Sequence, residues 1–231
     1  MNIPSYYTTT QIRREQDTIN LVFGLTQGKG FIAGGFARYC VSDRLDPNCP
    51  GDIDVFTGDM GTFTDIFLAF KANPLLKQRS DTEIETKFEY VFKEGFKKEV
   101  LNIQLIKPVH ISNMNSKGDF ISVLTNFDFT ISKVAILANG EAWMHHQFER
   151  DDRGGHLVIE KIHCPISSMK RVIKYAQKGY TIESKELLKL FKDYETRPTD
   201  WKKLVDEGLS QNRDNWPKEK QNEFVRAMYM D

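Results

Sequence analysis

No apolar run in the 231 residues approaches the roughly 20 consecutive positions that a membrane-spanning helix needs. The longest, such as 134–138, are far too short, so no membrane partner is expected. Cysteine is scarce. Cys40, Cys49 and Cys164 are irregularly spaced and make neither a disulfide framework nor a Cys-x-x-Cys zinc pair, which predicts a reducing, cytoplasmic setting. The first twenty residues carry Arg13, Arg14, Glu15 and Asp17 and no apolar core segment, so no signal peptide is expected. Net charge is also lacking: 32 Lys+Arg balance 32 Asp+Glu, which excludes a broadly basic, histone-like protein. Gly28-Lys29-Gly30 is not followed by Gly-Lys-Ser/Thr, and there is no Gly-x-Gly-x-x-Gly or Gly-x-Ser-x-Gly. A Walker loop, a dinucleotide fingerprint and a serine-hydrolase elbow are thereby excluded. His145, His146, His156, His163 and Cys164 match no standard zinc spacing. No repeat or low-complexity tract is present.

What is there suffices for a folded core: 40% hydrophobic residues, 16 Phe among them. The zero charge hides a split, because residues 1–160 hold 17 basic and 21 acidic side chains and residues 161–231 hold 15 and 11. Texture changes at the same place. The front alternates short Phe/Ile/Val runs with glycine turns, a mixed α and β pattern, and the back is rich in Lys, Glu and Leu, a helical one. Helices are expected over 8–25, 36–41, 62–72, 167–178 and 184–192, with further helix toward the C-terminus. The wet segment 199–231 there carries the apolar stripe Trp201, Leu204, Val205 and Leu209. Strands are expected over 30–33, 52–56, 127–138, 141–146 and 156–162, with a hairpin of 87–92 and 99–107 around Gly95. Segment 119–126 is ambiguous, a short helix among its readings. Asn139-Gly140 is the strongest two-residue turn signal.

The chemistry concentrates in Phe31-Ile32-Ala33-Gly34-Gly35-Phe36-Ala37-Arg38 and Gly51-Asp52-Ile53-Asp54-Val55-Phe56. On a strand, residues i and i+2 share a face, so Asp52 and Asp54 present two carboxylates side by side while Ile53 turns to the core. Like charges that close repel unless a cation lies between them, and hard oxygen ligands suit Mg²⁺, with Mn²⁺ as its substitute. Gly34-Gly35, at a strand-to-helix turn, leaves room for a phosphate close to the backbone. A glycine cradle followed by an Asp-x-Asp clamp is equipment for chemistry on a nucleoside triphosphate. Alone, each element is an ordinary turn or solvated strand face; their combination in this order carries the specificity. Lys170, Lys174 and Lys178 recur every four residues and, with Arg171, make a basic helix edge opposite Met169, Val172, Ile173 and Ala176. That edge is either a phosphate-binding surface or an ordinary solvated face. Tyr175 and Tyr180 either stack on a base or pack with a wet hydroxyl.

These blocks carry a family resemblance. Gly34-Gly35 with Asp52-Ile53-Asp54 resembles the signature of the polymerase-β-like nucleotidyltransferases. Phe127-Asp128-Phe129-Thr130-Ile131-Ser132-Lys133-Val134-Ala135 resembles the Asp-Phe-Thr-Ile-Asn-Ala-Leu-Ala motif of the class II CCA-adding and bacterial poly(A) polymerase branch. Arg171-Val172-Ile173-Lys174-Tyr175-Ala176 and the following Tyr180-Thr181-Ile182-Glu183 resemble that branch's neck helix. Arg38 matches the arginine of the family's Gly-Gly-x-x-Arg-Asp, with Tyr39 in place of the aspartate. Departures accompany the matches. The loop before Asp52 holds sixteen residues, longer than usual in the superfamily. The third metal carboxylate falls in 101–105, where Asn102 and Gln104 are neutral. Either two carboxylates suffice, or Asp128 replaces the third, or catalysis is weakened. The Glu-Asp-x-x-Arg block that selects C and A is absent before Arg171, so CCA specificity does not transfer.

The expectation is an α+β nucleotidyltransferase fold: a catalytic domain over 1–160, its mixed β-sheet flanked by helices, and a helical neck-like extension over 161–231. The resemblance implies transfer of a nucleoside monophosphate from an NTP, ATP favoured, to a hydroxyl, with an RNA or tRNA 3′ end the favoured acceptor. Asp52 and Asp54 would hold Mg²⁺, and Asp128 would be a third ligand or an orienting residue. Gly34, Gly35, Arg38, Lys133, Arg171 and Lys174 would bind the nucleotide. The alternatives are a catalytically weakened nucleotide- or RNA-binding regulator and an adenylyltransferase acting on protein or a small molecule.

Overall fold

Asp52–Phe56 forms β3, a central strand of an eight-stranded sheet. The computed structural model describes residues 5–44, 49–94, 97–108, 119–210 and 216–229. By contact the chain divides into Met1–Arg153 and Gly154–Asp231.

The first unit is an α+β layer structure. Its strands are β1 (Tyr7–Thr10), β2 (Phe31–Ala33), β3, β4 (Leu76–Asp81), β5 (Glu85–Glu94), β6 (Lys97–Ile106), β7 (Val134–Leu137) and β8 (Ala142–His145). They lie in the order β1-β8-β7-β2-β3-β6-β5-β4. The β3–β6 pair is parallel and the other ladders are antiparallel, so the sheet is mixed. The helices are α1 (Gln16–Leu25), α2 (Gly35–Val41), α3 (Met60–Ala72), α4 (Phe120–Thr125) and α5 (Phe148–Gly154).

Side-chain alternation divides the sheet's two faces. Ile53, Ile103 and Phe88 stand in register on one face and are buried against α3, where Phe70 meets Phe88 edge-on at 5.0 Å between ring centroids. Asp59 starts α3 by accepting a hydrogen bond from Thr62 N at 2.8 Å, and Pro74 follows its end. On the other face, Phe31, Ala33 and Ala135 pack against Phe120, Ile121, Val123 and Leu124 around α4, with Phe56, Phe127 and Trp143 at the rim. That apolar cover reaches β3 and gives way to the polar side chains of β3, β6 and β5.

Several expectations are corrected. The segment 8–25 is not one helix. Thr8, Thr9 and Thr10, β-branched, belong to β1 on β8, and α1 begins only after Glu15, whose left-handed φ of 61° interrupts any helix running back from it. The segment 127–138 is strand only from Val134, because the 3₁₀ turn Thr130–Ser132 precedes it and Thr130 turns its hydroxyl to the Asp151 carboxylate at 2.7 Å. In 156–162 only His156–Leu157 (β9) is strand; Ile159 N donates to the Glu186 carboxylate at 2.8 Å instead of to a ladder.

The second unit pairs β9 in parallel with β10 (Thr181–Ile182) and carries α6 (Pro165–Ala176), α7 (Ser184–Thr196), α8 (Thr199–Ser210) and α9 (Lys218–Tyr229). Cys164, Trp201, Val205, Trp216, Phe224, Ala227 and Met228 form its core. Gly208 admits α9 closely, since a Cβ there would lie 2.2 Å from the Phe224 ring. Leu209, expected in the apolar stripe, is exposed, whereas Trp201 and Val205 are buried. On α6, Ile173 is exposed and Tyr175 buried, so the expected apolar edge is not the packed one. No helix of the described residues is long and apolar enough to cross a membrane.

Candidate functional site

Asp52 and Asp54 project from β3 on the face that α4 leaves open: Asp52 is exposed, Asp54 half-buried, and Ile53 between them is buried on the opposite face. The β2–β3 ladder sets Ala33 opposite Asp54, and Gly34 follows at the turn into α2 with φ 78° and ψ −139°. A Cβ on Gly34 would stand 3.3 Å from Asp54 Oδ2. The missing side chain therefore does two things: it permits a backbone conformation that L side chains rarely adopt, and it keeps the space before the carboxylate clear.

Register builds the rest of this surface. Asp52 pairs with Asn102 and Asp54 with Gln104 across β3–β6; Asn102 pairs in turn with Glu89, and Gln104 with Lys87, across β6–β5. Residues directly opposite share a face, so two rows run across the sheet, Asp52–Asn102–Glu89 and Asp54–Gln104–Lys87. Asn102 Nδ2 donates to Gly51 O at 3.1 Å and fastens the chain entering β3. Glu89 accepts from Arg79. Lys87 pairs with Glu85 at 3.1 Å. Partial burial pulls its ammonium pKa down, but Glu85 and the charges of Asp52 and Asp54 outweigh that and hold it above the ordinary lysine value. Among the described residues, no three of His, Cys, Asp and Glu gather in a metal-holding group. Asp52 and Asp54 thus stand as a pair.

The pair fits a hard divalent cation. Two strand carboxylates share one face, Asn102 and Gln104 stand in register beside them, and Gly34 places no side chain before Asp54.

The other residues singled out from sequence lie elsewhere. Arg38 on α2 is 1% exposed and faces Asp152, with Nη1 at 3.6 Å from Oδ1. Ser42 Oγ donates to Asp152 Oδ2 at 2.5 Å and Arg44 Nη1 to its carbonyl at 3.2 Å. Lys133 is buried, and its Nζ donates to Thr125 O at 3.4 Å. Asp128 is buried, its Oδ1 accepting from Phe129 N at 3.1 Å. Arg38 and Lys133, expected on a triphosphate, are thus interior side chains that secure α2 and the turn after α4. Arg171 and Lys174 lie on α6 of the second unit, half-buried and exposed respectively. Tyr175 and Tyr180 are buried and meet edge-on at 5.4 Å, which is packing and not a base platform.

Lys87, Asp151 and Asp152 were missed from sequence. Counting outward from the hairpin turn would have set Lys87 opposite Gln104. Nothing local in Arg150-Asp151-Asp152-Arg153 marks its two aspartates as buried.

No protein-family model matches the chain, and no curated protein matches it. Among solved structures it is similar to a Bacillus stearothermophilus CCA-adding enzyme in complex with CTP, at 15% identity and a TM-score of 0.45 over 76% of this chain and 43% of that one. It is also similar to a tRNA nucleotidyltransferase complexed with a primer tRNA and an incoming ATP analogue, at 14% identity and a TM-score of 0.43 over 92% of this chain and 80% of that one. The chain thus spans less than half the length of the first.

Proposed function

We propose that the chain is a divalent-metal-dependent nucleotidyltransferase. It moves a nucleoside monophosphate from an NTP, ATP favoured, to a hydroxyl acceptor, an RNA or tRNA 3′ end favoured, and releases pyrophosphate. The observation that carries this function is the Asp52/Asp54 pair on one face of β3 with Gly34 held against it, 3.3 Å from a notional Cβ to Asp54 Oδ2. Asp52 and Asp54 would hold Mg²⁺, or Mn²⁺ in its place; when bound, the ion neutralises charge on the reacting phosphoryl group and lowers the pKa of a nearby hydroxyl. The triphosphate lies over Gly34-Gly35, where no side chain intrudes. The acceptor oxygen forms a bond to the α-phosphorus while the bond from that phosphorus to the bridging oxygen breaks. Pyrophosphate keeps the electron pair, and the hydroxyl proton passes to water. Arg38 and Lys133 act by holding α2 and the turn after α4, Asp128 orients that turn, and Arg171 and Lys174 are assigned to phosphate binding.

The experiment offers labelled NTPs with Mg²⁺ to tRNA, bulk RNA and protein in parallel. Label on an RNA 3′ end is the expected result. Label on protein instead makes the chain an adenylyltransferase of protein. If no acceptor is labelled and ATP binding is unchanged by Asp52→Asn and Asp54→Asn, the proposal fails. A second reading, a nucleotide-binding regulator of the same fold, is favoured by the neutral Asn102 and Gln104 beside the pair. It predicts ATP binding that needs Asp52 and Asp54, without transfer to any acceptor.

A further inference from the structure

We propose that Lys87 supplies the second positive charge of this site, so that the chain works with one bound divalent cation rather than two. This rests on the nucleotidyltransferase reading and deepens it. Two-cation phosphoryl-transfer sites set their ions about 3.5–4 Å apart and share carboxylates between them. Here Asp52 and Asp54 are enough for one hard cation that completes its shell from water and phosphate oxygens. A second ion would need further acidic ligands, and the next strand offers Asn102 and Gln104 in register instead. One strand further, in the row of Asp54, stands a lysine. Two strand spacings are about 10 Å between backbones, a gap that a four-carbon lysine stem narrows greatly.

Its placement has a direction. Along the sheet, Gly34 flanks Asp54 on the β2 side and Lys87 lies on the β6–β5 side. With the triphosphate over Gly34-Gly35, Lys87 is on the acceptor side, where the attacking oxygen gathers negative charge. An ammonium there is a fixed point charge that needs no ligand set of its own. The Glu85 pair at 3.1 Å keeps its stem on the surface, and its side chain is 44% exposed, so it can reach an incoming oxygen anion. The same charge opposes a second cation on the carboxylates.

The test counts Mn²⁺ bound to the full chain by electron paramagnetic resonance, in the presence of a non-hydrolysable ATP analogue, alongside transfer assays. Wild type is expected to bind one ion per nucleotide. Lys87→Gln should tighten Mn²⁺ several-fold and slow transfer, opposite signs that a merely structural residue would not produce; Lys87→Arg should behave as wild type in Mn²⁺ affinity. Gln104→Glu should admit a second ion. Two ions per nucleotide in wild type, or Mn²⁺ affinity unchanged in a folded Lys87→Gln, overturns the proposal. Mn²⁺ and nucleotide binding that is indifferent to Asp52→Asn and Asp54→Asn overturns the nucleotidyltransferase reading itself, a separate outcome.

Discussion

Gly34 and Asp54 confront each other across the β2–β3 pair so closely that a methyl group on the first would lie 3.3 Å from a carboxylate oxygen of the second. Gly34→Ala therefore asks for a strained backbone at φ 78° and fills the approach to the carboxylate. It should cost about 1–3 kcal/mol of stability in urea unfolding. Nucleotide affinity should fall as well, measured by titration well below the unfolding transition.

Asp52→Asn and Asp54→Asn keep the shape of the strand and remove the charge that would hold a cation. Transfer should fall by at least about 100-fold in each, within the several kcal/mol that a bound divalent ion contributes. Circular dichroism should be unchanged. An Asn variant with full transfer would remove that carboxylate from the site.

The Arg38–Asp152 pair is buried on both sides. Asp152→Ala leaves a guanidinium without this carboxylate in the interior and should cost about 3–5 kcal/mol in denaturant unfolding. The double replacement Arg38→Met with Asp152→Leu should recover most of that loss, because it removes both charges together.

Asp59 caps α3, and its carboxyl pKa is held below the ordinary aspartate range, chiefly by the hydrogen bond from Thr62 N. A depressed acid stabilises above its unfolded pKa and loses that stabilisation as pH falls through the folded one. Asp59→Ala should therefore cost about 1 kcal/mol at pH 7. The difference from wild type should shrink below pH of about 4, as both states become protonated.

The three thiols fall into two reactivities to test. Cys40 and Cys164 are buried and Cys49 is exposed. Burial pushes the Cys40 thiol up, with the charges of Cys49 and Glu15 adding to it. A thiol reagent at pH 8 should modify Cys49 rapidly in the folded protein and reach the other two only after unfolding.

What could be read from the residues was local. The alternation of Asp52–Phe56, the antiparallel pair β5–β6 and the turn at Asn139-Gly140 each declare themselves within a few positions. Strand β1 did not, because three threonines look as much like a helix start as a strand until Trp143 is known to lie opposite Thr9. The site divides along the same line. The carboxylate pair and Gly34 are neighbours through two adjacent motifs. Lys87 joins them only through the register of β3 on β6 and of β6 on β5, and the pairing of Arg38 with Asp152 spans most of the unit's sequence.

Ser42 and Asp152 are 110 positions apart and bonded at 2.5 Å. During synthesis, α2 leaves the ribosome long before the aspartate that neutralises its arginine, so the region around Arg38 must wait for α5 before it can close. Such late, distant closure slows folding and prolongs the exposure of unfinished strands. A fragment ending before Asp152 would keep Asp52, Asp54 and Gly34 and still lack the residue that lets their scaffold shut around Arg38. A fragment that carries this carboxylate pair thus has to run on to Asp152 to keep Arg38 paired.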